Sequence, residues 1–133
     1  MKARRRVLAI ILGIGLVLNA LWMLAVPAPW YAAAPGVDQT GPFNPHFVRD
    51  IGVAYLVAGA ALSAFAASPD ARPAAQVGAG FLALHGLVHL WDVAAGREPA
   101  HRLLIDLPTV FVPPLLAIWN AWPPPTLHHG EKP

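Results

Sequence analysis

The chain has 133 residues, 56% hydrophobic and only 12% charged, where soluble domains carry about a quarter of their residues as charges. So little polar surface cannot cover a soluble core of this size, and the absence of cysteine also removes disulfides, thiol redox chemistry and thiolate metal sites. The net charge of +2 reflects a basic run at Lys2, Arg4, Arg5 and Arg6 beside an apolar stretch, which reads as a topology signal with the lipid bilayer as partner and no nucleic acid.

The first apolar run predicts a helix over about 7–26, close to the roughly 20 residues that cross a hydrocarbon core, ended by Pro27 and Pro29. The basic start and the small residues Ala32-Ala33-Ala34 resemble a signal peptide. The run exceeds the usual apolar region of about 7–15 residues, so a retained transmembrane helix is expected. A second helix is expected over 44–67, with Asn44 capping free N–H groups and Pro45 at the first helical position, and with Ser68-Pro69-Asp70 as the stop.

The third helix is expected over 74–95, after Pro73 and before Gly96. The fourth is placed at 102–122. Either Arg102–Asp106 belongs to it, or Asp106 caps a shorter span, with Pro113-Pro114 kinking the middle. Pro123-Pro124-Pro125 ends the helix, and 123–133 reads as a mobile tail. The expected fold is all-α: one domain over 1–133, an integral membrane four-helix bundle.

Lys and Arg distribute as Lys2, Arg4, Arg5, Arg6, Arg72 and Lys132 on one side, against Arg49, Arg97 and Arg102 on the other. The bias predicts that both termini are cytoplasmic. Trp22, Trp30, Tyr31 and Trp91 then mark the outer interface, and Trp119 and Trp122 the inner one.

Ionisable residues within the spans are costly and mark a site by default. His85, His89 and Asp92 share one face of the third helix at spacings of four and three residues. His46, Arg49 and Asp50 open the second helix at the same membrane level, Asp106 opens the fourth, and Asn19 lies in the outer half of the first. The expectation is a polar pocket opening outward. His46, Asp50, His85 and His89 are candidate metal ligands, because neutral imidazoles with carboxylates suit zinc, copper or iron. Arg49, Asp92 and Asp106 are candidate ligand-binding residues, with Arg49 expected to pair with Asp92 or Asp106 or to receive an anionic group near the start of the second helix. Asp106 and Asn44 also read as simple helix caps, His101 as a loop residue, and His128-His129 as tail.

The segment Phe43-Asn44-Pro45-His46-Phe47-Val48-Arg49-Asp50-Ile51-Gly52 resembles an Asn-x-His-x-x-Arg-Asp-x-Gly pattern of small uncharacterised four-helix bacterial membrane proteins. Their His-rich third helix is similar to Leu84-His85-Gly86-Leu87-Val88-His89. The layout also looks like the wider DoxX-like group. The resemblance implies the same bundle and the same polar residues, and brings no activity or cofactor. The expected function is a small membrane protein whose His/Asp pocket holds a metal ion or small ligand. The alternatives are an accessory subunit binding another membrane protein, or an enzyme using a His base on a quinone or lipid. Haem would need His46 opposite one of the third-helix histidines.

Overall fold

The structure, a computed structural model, describes residues 3–122. The tail expected over 123–133, with His128 and His129, lies outside them. Among the described residues every regular element is helical. Four helical stretches, Ala3–Ala25, Pro45–Ala67, Pro69–Ala94 and Arg102–Ala121, are long and apolar enough to cross a membrane.

The first is α1 (Ala3–Ala25), whose buried residues Ala9, Gly13, Leu16, Ala20 and Met23 recur at steps of four, three, four and three. That 3.5-residue period lays one narrow seam along a straight neighbour. Ile11, Ile14 and Leu18, off the seam, remain exposed, as lipid-facing residues do. After Val26 the chain turns into the short α2 (Pro27–Ala33), pinned back on α1 by Trp30 Nε1 donating to Asn19 Oδ1 at 2.9 Å.

Helix α3 (Pro45–Ala67) starts as its sequence requires. Asn44 Oδ1 accepts from the backbone N–H of His46 at 3.0 Å and of Phe47 at 3.2 Å, and Pro45 takes the position where an N–H would have no use. The most extensive interface in the bundle is between α1 and α3. It depends on two glycines: a Cβ on Gly59 would stand 2.8 Å from the Gly13 carbonyl oxygen, and one on Gly13 would stand 2.9 Å from that of Gly59. Only bare backbone fits there.

A tight connection through Ser68 leads into α4 (Arg72–Ala94), which packs on α3 where Gly78 meets Ala58. The last span is broken. After α5 (Arg102–Asp106), residues Leu107–Phe111 widen into a π turn, in which Val112 N–H donates to the Leu107 carbonyl, before α6 (Val112–Ala121) resumes. The cause is legible: an unbroken α-helix would need Pro113 and Pro114 to donate to Thr109 and Val110, and neither has an N–H. Asp106 is thus inside the span and makes no capping bond.

The order around the bundle is α1, α3, α4, α6, with α6 touching α1 again to close the ring. We call the end where α1 stops and α3 starts the loop end, and the other the terminal end. The apolar core, including Leu16, Ala58, Leu62, Phe65, Ala79 and Ala117, fills the half toward the terminal end. The histidines of α4 lie in the other half.

Candidate functional site

His89 lies on α4 a little over one turn before its end, and Asp106 closes α5 across from it. His89 Nδ1 is 2.8 Å from Asp106 Oδ2, with the carboxylate side chain 4% exposed and the imidazole 21%. On its other oxygen, Oδ1, Asp106 meets Arg102 Nε at 3.3 Å, an ion pair one helical turn long whose alignment falls short of a hydrogen bond. Arg102 is equally buried, at 3%. Its remaining donors reach the segment after α2: Nη2 to the Gly36 carbonyl and Nη1 to Gln39 Oε1 at 3.3 Å. Gly36 sits at φ +74°, and a Cβ there would land on the guanidinium. A side chain is excluded twice over, by backbone conformation and by Arg102 itself.

Buried charges are tolerable only when paired and hydrogen-bonded, and this arrangement meets that condition with one carboxylate between two cationic or donor groups. A neutral His89 that donates from Nδ1 to this carboxylate keeps its lone pair on Nε2. His89 is therefore held in one orientation as a base, an acceptor or a metal ligand.

One turn deeper, the His85 ring meets His89 edge-on at 5.0 Å, stacks on Phe81 at 6.1 Å, and meets Tyr55 of α3 edge-on at 5.8 Å. Tyr55 and Phe81 close the group at 5.5 Å. The polar chain from Gly36 to His89 thus ends against a box of aromatic rings.

The seven predicted site residues do not form one cluster. His85, His89 and Asp106 come together. His46 and Asp50 pair with each other instead, Nε2 to Oδ2 at 3.3 Å, with side chains 86% and 60% exposed. The reason is angular: Tyr55, the α3 residue that meets His85, is nine residues after His46, which at 100° per residue is the opposite face of the helix. The expectation that His46 and Asp50 face His85 and His89 is corrected on that ground.

Arg49 does not pair with Asp92 or Asp106. Its Nε donates to the Leu24 carbonyl at 3.2 Å, satisfying a free acceptor at the end of α1. Asp92 instead accepts from Arg97 Nη1 at 2.7 Å and braces the turn after α4. Asn19 is committed to Trp30, and His101 is an exposed loop residue.

Among the described residues no group of three or more His, Asp or Glu side chains is arranged to hold a metal ion. His85 and His89 supply two nitrogens, but both Asp106 oxygens already face Arg102 and His89, so the set does not fit a metal. A shallow concavity on α4, lined by Leu84, Leu87, Val88 and Trp91, includes none of the predicted residues and is apolar throughout.

Sequence reasoning passed over Arg102 as a site residue, counting it as an outer charge and as a possible start of the fourth helix. The signal was present, since Arg102 and Asp106 are four residues apart on one helix. Tyr55 gave no signal apart from its place on α3, and Gly36 and Gln39 gave none. No family model, curated protein or solved structure matches the chain.

Proposed function

We propose that this is a multi-pass membrane protein that binds a small, membrane-soluble ligand at His89, with His85 and its aromatic neighbours forming the rest of the site. The observation that carries the reading is the 2.8 Å contact from His89 Nδ1 to a carboxylate that is itself buried and held by Arg102. Such a contact fixes a histidine for work at its other nitrogen. The ligand offers a hydrogen-bond donor to His89 Nε2 and a flat apolar body to the rings of His85, Phe81 and Tyr55. With Arg102 fully engaged inside the chain, nothing favours an anionic ligand.

The membrane is the bacterial inner membrane, with both termini cytoplasmic. Supporting this, Arg4, Arg5, Arg6 and Arg72 occupy the terminal end of the bundle and Arg49, Arg97 and Arg102 the loop end. Kinship with small four-helix bacterial membrane proteins rests on the Phe43–Gly52 segment and the α4 histidines, and kinship with the wider DoxX-like group on the four-helix layout alone.

A structural reading has its own observation. Arg102 joins α5 to the segment after α2 and is nearly inaccessible, so the Arg102–Asp106 half of the chain serves assembly whatever His89 does.

Native mass spectrometry and elemental analysis of the purified protein test the proposal. A small molecule is expected to co-purify with the wild type and with Asp50→Asn, and to be lost from His89→Ala with helicity unchanged. Equal loading of His89→Ala would refute the site, and a stoichiometric metal lost with His89 would replace the organic ligand by an ion.

A further inference from the structure

Within the last span the backbone has an acceptor that its own helix cannot satisfy. The Thr109 carbonyl would receive the N–H of residue 113 in an α-helix and of residue 114 in a π turn, and both are proline. Thr109 is the eighth residue of the 20-residue stretch Arg102–Ala121, about 10 Å from one end and 18 Å from the other at 1.5 Å per residue. At that depth no water is at hand, and an unsatisfied carbonyl costs several kcal/mol.

The Thr109 side chain is exposed on the outside of the bundle, and its hydroxyl bonds to no other described residue. Elsewhere in the middle of the described spans, the polar side chains of Asn19, Tyr55, Ser63 and His85 are at least half covered. Thr109 therefore offers an exposed hydroxyl donor and, in the same residue, a backbone acceptor left unmet by its own helix. Such a residue is complementary to itself. Across a two-fold axis along the membrane normal, each hydroxyl meets the other chain's carbonyl at the same depth.

We propose that the π turn at Thr109 is the contact between two copies of this chain in the membrane, with reciprocal hydrogen bonds from each Thr109 hydroxyl to the partner's Thr109 carbonyl. Thr side chains commonly bond across packed membrane helices, and a carbonyl without an N–H from its own helix is the acceptor that needs such a partner. The inference does not depend on the His89 site.

The chain has no cysteine, so Asp38→Cys in the exposed loop gives a single thiol for donor and acceptor dyes. Energy transfer between labelled chains is followed in phosphatidylcholine vesicles as lipid dilutes the protein. Thr109→Val keeps the shape and removes the hydroxyl, and is expected to weaken association about tenfold, as two modest interhelical hydrogen bonds would. Thr109→Ser is expected to associate like the wild type. Pro113→Ala leaves Thr109 intact and supplies its carbonyl with an N–H from the same helix, so it too should weaken association. Val77→Ala, on an exposed position of α4, should change nothing. Energy transfer no greater than random proximity in the wild type would overturn the proposal, as would Thr109→Val and Pro113→Ala both associating like the wild type.

Discussion

The two halves of the bundle are held together by different physics. Toward the terminal end, helices approach through Gly13, Gly59 and Gly78 and fill the space with Leu16, Leu62, Phe65 and alanines. Polar groups there are few: Asn120 Nδ2 donates to the Arg5 carbonyl at 2.8 Å, and the Arg5 guanidinium lies 4.6 Å over the Trp119 ring. Toward the loop end α4, α5 and the segment after α2 are joined by a chain of polar contacts from Gly36 through Arg102 and Asp106 to His89. Small residues allow close packing at almost no desolvation cost. A buried carboxylate and guanidinium are stable only as a set, so the loop half depends on every member being present.

That contrast is sharpest under substitution. Arg102→Ala is expected to destabilise by about 3–5 kcal/mol, because it leaves the buried Asp106 without its cation. Asp106→Ala should cost a similar amount, and the double variant less than the sum, as residues in one network do. Thermal unfolding in detergent, followed by circular dichroism, measures all three. Additive losses would show that the pair is not a unit.

In the terminal half the corresponding break is Gly59→Ala. A Cβ 2.8 Å from a backbone carbonyl forces α1 and α3 apart, for about 1–3 kcal/mol. The same measurement applies, and a neutral result would mean that the helix pair slides freely. The smallest effect belongs to the exposed pair at the start of α3: Asp50→Asn should stay within about 0.5 kcal/mol, since His46 and Asp50 are both well solvated. A larger loss would return these residues to the site from which the structure separates them.

How much of the site was readable differs residue by residue. His85 and His89 are four apart on a helix whose ends are marked by Pro73 and Gly96, so their common face follows from periodicity alone. A shared depth in the membrane was the reason to expect His46 and Asp50 beside them, yet depth is only one of two coordinates. Which face of α3 meets α4 depends on Gly78 lying against Ala58 and on Tyr55 reaching His85, and those are contacts between distant segments. Arg49 illustrates the same limit. It was assigned a carboxylate because intramembrane charges usually pair, and it found the free Leu24 carbonyl, an acceptor created only where α1 ends beside it.

The sequence by itself determined what each stretch of chain could be. Length and apolar content set four helices fit to cross a membrane, Asn44-Pro45 started α3, and Pro113-Pro114 made a break in the last span unavoidable, because these are consequences of covalent structure and hydrogen-bonding capacity within a few neighbouring residues. The tertiary structure decided which polar groups became partners. Asp106 was equally fit to cap a helix, to answer Arg49, or to orient a histidine. It orients His89, because the packing of α4 against the last span brings that imidazole within 2.8 Å, while Arg102, one turn earlier on the same helix, compensates the charge at a burial that a solvated carboxylate would never need.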